Sequence, residues 1–259
     1  EGEGASVYLN PSGYTAKNPR GGESGSNGLL LDARGNLILC QHGDRRVARM
    51  LTPTSKPSSR FETLAGAFRG NRFNSPNDLV YNRKGELYFT DPPYGLVKKE
   101  KDPKREIDFQ GVYLLRKNGK VDLVTKELER PNGIILSPDE KTLYVANSHG
   151  PRPIWMSFDL KPNGLVKQGR VFFDSTSYRG KHPDRQGGND GMKVDKQGNL
   201  WATGPGGVLV FSPEGDHLGT ILTGQRTANC AFGDDGSTLY MTADMFLMRI
   251  RTSVTGLGF

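Results

Sequence analysis

An Asn or Asp recurs five times along this chain, each time opening a short apolar run that passes through a polar turn into Leu and a strand-forming residue. The copies start at Asn27, Asn77, Asn132, Asp190 and Asn229, so successive starts lie 50, 55, 58 and 39 residues apart. Asn27-Gly-Leu-Leu-Leu leads to Leu37-Ile38, and Asn77-Asp-Leu-Val-Tyr to Leu87-Tyr88. Asn132-Gly-Ile-Ile-Leu leads to Leu143-Tyr144, Asp190-Gly-Met-Lys-Val to Leu200-Trp201, and Asn229-Cys-Ala-Phe to Leu239-Tyr240. Each copy reads as two strands joined by a tight turn. A period of roughly 40 to 50 residues in four strands is that of a propeller blade. The shortest spacing is then a bare blade, and the others carry insertions.

Two further strands follow most copies: 47–51 with 60–64, 111–116 with 121–125, 154–159 with 169–173, and 208–212 with 218–222. Helical periodicity is nowhere sustained, which disfavours a βαβ sheet. The expected fold is all-β, a six-bladed β-propeller forming a single domain over residues 1–259. The sixth blade is inferred from the ends. Before Asn27 there is one outer-strand candidate, 5–9, and after Tyr240 a third strand, 247–251, without an obvious fourth. The first blade is therefore expected to be incomplete, its missing N-terminal segment cleaved, disordered or an associated fragment of the same protein.

Propeller geometry sorts residues by face. The innermost strand of each blade starts at one mouth of the central channel, so the five Asn/Asp residues are expected to ring that mouth. The turns at 32–35, 82–85, 137–139, 195–198 and 233–236 close the inner hairpins at the opposite end and are structural. Insertions 92–110 and 174–189 fall on the ringed face, where long loops carry function. His42 and His149 follow second strands and reach the same mouth.

The formal charge of +7 raises the question of nucleic acid. Lys and Arg are dispersed, and the one dense run, 98–105, is broken by acids and a Pro. No basic stripe with stacking aromatics is present, so nucleic acid is not an expected partner and the run reads as a solvated loop. No apolar stretch is long enough to span a membrane. The opening Glu1-Gly2-Glu3-Gly4 has no initiator Met and no recognisable leader, leaving cytoplasmic and periplasmic or secreted locations open. Cys40 and Cys230 lack CxxC spacing and read as strand-associated thiols, with one disulfide the alternative.

The segments 74–78 (Asn-Ser-Pro-Asn-Asp), 88–95 (Tyr-Phe-Thr-Asp-Pro-Pro-Tyr-Gly), 130–133 (Arg-Pro-Asn-Gly), 188–192 (Gly-Asn-Asp-Gly-Met), 202–207 (Ala-Thr-Gly-Pro-Gly-Gly) and 227–232 (Thr-Ala-Asn-Cys-Ala-Phe) resemble, in this order and over nearly the whole chain, the gluconolactonase and senescence-marker-protein (regucalcin) family. The resemblance implies a propeller holding one divalent metal at the channel mouth and hydrolysing an aldonolactone. It places the family's metal ligands on Asn77, Asn132 and Asp190. The family's fourth ligand, a Glu in a Glu-Gly-Pro-type motif, has no counterpart here and is expected in the missing segment. Where some members carry a substrate-binding Arg two residues before the metal-binding Asn, this chain has Ser75, with Arg72 nearby.

Amide and carboxylate oxygens without His or Cys suit Ca²⁺ best, then Mg²⁺, with Zn²⁺ or Mn²⁺ as substitutes. Such a cation would polarise the lactone carbonyl and acidify a water. Asp190, the one charged member of the trio, is the expected general base. Asn27 and Asn229, in the equivalent slots of other blades, are candidate substrate contacts, as are Arg72 and His149; a structural role or a plain surface loop is the alternative for each. Asp78 is expected to pack against a neighbouring blade, His42 to hold a loop, and His182 and His217 to be exposed. Residues 204–207 form a tight loop rather than a phosphate cradle, since no helix with a Lys follows. No Gly-x-Ser-x-Gly occurs, which argues against a serine hydrolase. The expected partner is a small lactone. A related lactonase or organophosphate hydrolase, or a non-catalytic metal-binding or protein-interaction propeller, are the rival readings.

Overall fold

A computed structural model of the chain describes residues 4–18 and 21–258. It divides into two compact units, Glu1–Leu123 and Val124–Phe259. In the first, β1 (Ser26–Leu31), β2 (Leu37–Gln41), β3 (Arg46–Met50) and β4 (Phe61–Ala65) form one antiparallel sheet. A short ribbon, β5 (Ala67–Phe68) with β6 (Asn71–Arg72), precedes a second sheet of β7 (Leu79–Tyr81), β8 (Leu87–Asp91), β9 (Gly111–Leu115) and β10 (Val121–Thr125). In the second unit, β11 (Pro131–Leu136), β12 (Thr142–Asn147), β13 (Ile154–Asp159) and β14 (Arg170–Asp174) form a third sheet. A fourth contains β15 (Met192–Val194), β16 (Leu200–Gly204), β17 (Gly207–Phe211) and β18 (His217–Leu222). The fifth has three strands, β19 (Thr227–Gly233), β20 (Thr238–Ala243) and β21 (Phe246–Arg251).

Every strand in these sheets pairs with its neighbours in sequence, which is the meander of a propeller blade. The predicted strands from residue 27 onward are present within a residue or so of their expected limits. Middle strands β8, β9 and β16 are buried throughout, because both faces of each are covered, whereas the outer strand β18 is largely exposed. In the first unit Phe73, Phe89 and Tyr113 meet at ring-centroid distances of 5.0 to 5.4 Å and anchor the core. In the second, Phe211 collects Trp155 and Phe173 at 5.5 and 4.6 Å.

The predicted inner turns are structural. Asp32 Oδ1 accepts the N–H groups of Arg34 and Asn36, each at 2.9 Å, and Asp195 Oδ1 takes those of Gln197 and Asn199, also at 2.9 Å. Cys40 and Cys230 are free and buried. Residues 98–105 are mostly exposed, as a solvated loop should be.

Three expectations need correction. Residues 5–9 are not a strand: they are largely exposed, make no ladder, and are tied down by the Tyr8 hydroxyl donating to Thr54 O at 2.6 Å. Loop 174–189 contains one helical turn, α1 (Thr176–Lys181), too short to show a periodicity in sequence. His182 is half-buried, its ring 4.8 Å from that of Tyr178. His217 is exposed as expected, yet it lies against Phe211, and partial burial pulls its pKa below the usual imidazole range. Glu1 to Glu3, where a Glu-Gly motif was sought, lie outside the described residues. No candidate membrane-crossing helix occurs among the described residues.

Candidate functional site

In three copies the recurring polar residue sits at a bulge. Pairing slips between Ser26 and Leu29, between Pro131 and Ile134, and between Thr227 and Asn229, at the slots of Asn27, Asn132 and Asn229. A bulge lifts one residue out of the ladder and re-aims its side chain. The freed backbone bonds to the next sheet instead: Gly28 N donates to Asn77 O at 2.6 Å, and Gly191 N to Ala228 O at 2.9 Å. This approach explains the Asn-Gly and Asp-Gly pairs. A Cβ on Gly133 would lie 2.2 Å from Asp190 O, and one on Gly191 2.1 Å from Asn229 Oδ1.

The last residue of the second strand holds the segment entering the polar slot. In the first unit Asp91, fully buried, accepts the N–H groups of Asn74 and Ser75 at 2.8 and 2.7 Å. In the second unit Asn147 occupies the same position and accepts Arg130 N at 2.9 Å, while its amide donates to Glu129 Oε2 and Arg152 O. Burial pushes the Asp91 carboxyl up to about 7, against the lowering by the two N–H groups. Sequence reasoning passed over Asp91. Its signal was an Asp ending a strand otherwise made of Leu, Tyr, Phe and Thr.

Asn77 is 2% exposed. Its Nδ2 lies 3.4 Å from His42 Nε2, and because an amide nitrogen only donates, the histidine nitrogen must accept. The imidazole proton is then on Nδ1, which faces Glu23 Oε2 at 3.6 Å. Burial raises the pKa of Glu23, with Lys99 opposing. The Asn77 amide is thus oriented with its nitrogen toward His42, and its Oδ1 is buried without a hydrogen-bond donor among the described residues. That orphaned hard oxygen fits a cation ligand. His42 holds more than a loop, and Glu23 was not singled out in sequence; the polar run 23–27 immediately before the first slot was its only trace. Asp78, beside Asn77, accepts Leu79 N at 2.9 Å and lies near enough to Cys40 to help raise that thiol, after burial itself.

In the second unit Asn132 donates through Nδ2 to Ser148 Oγ at 2.9 Å, and Ser148 Oγ donates to Asn189 O, adjacent to Asp190. Asn132 is therefore joined through one serine to the backbone just ahead of Asp190. Asp190 N bonds Thr203 O at 3.1 Å, and the side chain lines a cavity of about 620 Å³ together with Arg179, Arg226, Thr227, Thr242 and Asp244. Asn229 is half-buried, its Oδ1 accepting Cys230 N at 2.9 Å. His149 is half-buried beside Ser148, with a buried Nδ1 that has no partner among the described residues. Asn27 is exposed in β1. Arg72 is exposed in β6 and donates to Asp44 O at 3.0 Å. The 204–207 turn closes the β16–β17 hairpin, and Gly206, at φ +95°, donates to Gln186 O at 2.7 Å. Among the described residues no three His, Cys, Asp or Glu side chains converge as a metal cluster, so a cation site here would depend on amide oxygens.

The chain is 39% identical to a gluconolactonase of Zymomonas mobilis over 98% of its own length and 71% of that protein's. It is 25% identical to a lactonohydrolase of Aspergillus oryzae, covering 77% of this chain and 49% of that one. A solved gluconolactonase of Xanthomonas campestris superposes with a TM-score of 0.75 at 31% identity, covering 90% of this chain and 72% of that one. The model of the SMP-30/Gluconolactonase/LRE-like region matches residues 9–244. With blade meanders, polar bulges and these matches together, the chain belongs to the SMP-30/gluconolactonase/LRE-like family.

Proposed function

We propose that this chain hydrolyses a sugar-acid lactone, D-glucono-1,5-lactone in the first instance, with the help of one divalent cation. The observation that carries the activity is the 39% identity to the Zymomonas gluconolactonase across 98% of the chain. In this reading the chain is a lactone hydrolase. A six-bladed propeller acting as one domain is the architecture it implies, and the blade meander of each sheet supports that.

Asn77, Asn132 and Asp190 are the proposed oxygen donors to the cation. The buried, unpartnered Oδ1 of Asn77 supports this assignment, and the all-oxygen chemistry favours Ca²⁺, then Mg²⁺, with Zn²⁺ or Mn²⁺ as substitutes. A bound dication supplies polarisation of the lactone carbonyl and a lowered pKa for water. The Asp190 carboxylate takes the proton of the attacking water as the new C–O bond forms. The ring C–O bond then breaks, the ring oxygen takes that proton back from Asp190 and leaves as a hydroxyl, and the new carboxylic acid releases its own proton to give the open aldonate. His42 keeps the Asn77 amide from flipping. Asn27, Asn229, His149 and Arg72 remain proposed contacts for the sugar hydroxyls.

Lactone opening is to be followed by proton release after exhaustive chelation and after return of Ca²⁺, Mg²⁺, Mn²⁺ or Zn²⁺. Loss and metal-specific recovery are expected; full activity after chelation sinks the cation's role. A phosphotriester is the counter-substrate, and preferential turnover of it would move the reading to an organophosphate hydrolase built on the same residues.

A further inference from the structure

The cavity that Asp190 lines carries two arginines with no part in the chemistry above. Arg179, from α1, donates through Nη2 to Gly187 O at 2.6 Å, and Arg226, just ahead of β19, donates through Nε to Gln186 Oε1 at 3.1 Å. Two distant parts of the second unit thus bring guanidinium groups to consecutive residues of one loop. Each spends one N–H there, and a guanidinium has five. The Arg179 Nε is buried and finds no acceptor among the described residues. Both arginines line the cavity with N–H groups beyond those bonded to the loop, and Asp244 is the neighbouring carboxylate on the same wall. Thr242 adds a hydroxyl, which also bonds the backbone of Asn229. The volume, about 620 Å³, is that of a small-molecule site.

Guanidinium groups match planar carboxylates and phosphates through paired N–H donors. The chain's formal charge of +7 also draws anions toward it. We infer that this cavity is an anion subsite, and that the preferred substrates are lactones carrying a second, negatively charged carboxylate or phosphate. Arg179 and Arg226 grip that group while the lactone ring faces Asp190. The ring's identity rests on the lactonase reading; the anion subsite does not.

The test compares kcat/KM for D-glucono-1,5-lactone, which is neutral, with D-glucaro-1,4-lactone and 6-phospho-D-glucono-1,5-lactone, in the wild type and in R179Q and R226Q. The wild type should prefer at least one anionic lactone by tenfold or more, and the two arms tell carboxylate from phosphate. Either variant should lower the anionic-to-neutral ratio at least tenfold, with R226K retaining more of it than R226Q. Arg226 is exposed, so R226Q reports even where R179Q folds poorly. A ratio unmoved by both variants, or a wild type that favours the neutral lactone, overturns the inference. Should no lactone be opened, calorimetry with D-glucarate and 6-phosphogluconate still decides it. Saturable binding weakened tenfold or more in R226Q sustains the anion subsite while the lactonase reading fails; equal or absent binding overturns it.

Discussion

Asn77 and Asp190 occupy the same slot of the repeat in different units, and their surroundings differ in kind. Asn77 is sealed: 2% exposed, its amide set by His42, and the segment before it tied to a fully buried carboxylate. Asp190 opens onto a cavity walled by charged side chains, its N–H bonded to Thr203 O and the residue before it tied to Ser148. One repeat has thus produced a buried amide, the proposed ligand, and a cavity-facing carboxylate, the proposed base. Positioning needs the first, because a buried oxygen cannot be satisfied by water. The proposed proton transfer needs the second, because a base must meet substrate and solvent.

The largest expected effect is on the accessible side. Asp190→Asn keeps the shape but removes the base, and should lower kcat for lactone opening by about 10²- to 10⁴-fold with little change in melting temperature. A non-catalytic propeller would be indicated by unchanged function in that variant.

On the sealed side the sign of a pH effect follows from Asp91. Its folded-state pKa, about 7, lies above the ordinary aspartate value of 3.8, so the folded protein keeps a proton that the unfolded chain releases. This group's contribution to stability is fully present below pH 4 and declines as pH rises to about 7. The total is on the order of 4 kcal/mol, and the slope should be read from denaturant midpoints across that window. Asp91→Asn, which does not titrate, should flatten the slope; an unchanged slope would mean the carboxylate is ionised throughout.

A smaller effect probes the seam between bulges. Gly133→Ala forces a Cβ to within 2.2 Å of Asp190 O and should cost about 1–3 kcal/mol, visible as a lower melting temperature. The smallest concerns the amide lock. His42→Phe should weaken cation binding by about 10- to 100-fold in calorimetry, and His42→Gln, which keeps an acceptor, should recover part of it. Equal affinity in both variants would show that Asn77 orients itself.

Much of this was legible beforehand for local reasons. Strand limits such as 121–125 and 154–159 were readable because alternating apolar residues and Gly- or Asp-containing turns are written over a few neighbouring positions. The 5–9 strand was misread because Val and Tyr favour strands only when a partner is present, and here none pairs with them. Asp91 and Glu23 were missed because their roles depend on groups 16 to 19 residues away, Asn74 and Ser75 for one and His42 for the other.

By itself, the sequence determined the repeat, the all-β meander and the polar residue shared by every copy, since period, turn chemistry and apolar alternation are local properties. Tertiary structure alone decided what each copy of that residue became. A neighbouring histidine and a buried carboxylate sealed Asn77, while the approach of α1 and the 186–187 loop left Asp190 facing a cavity with two arginines. Burial and hydrogen-bond partners come from segments far apart in the chain, and no pattern of adjacent residues encodes them.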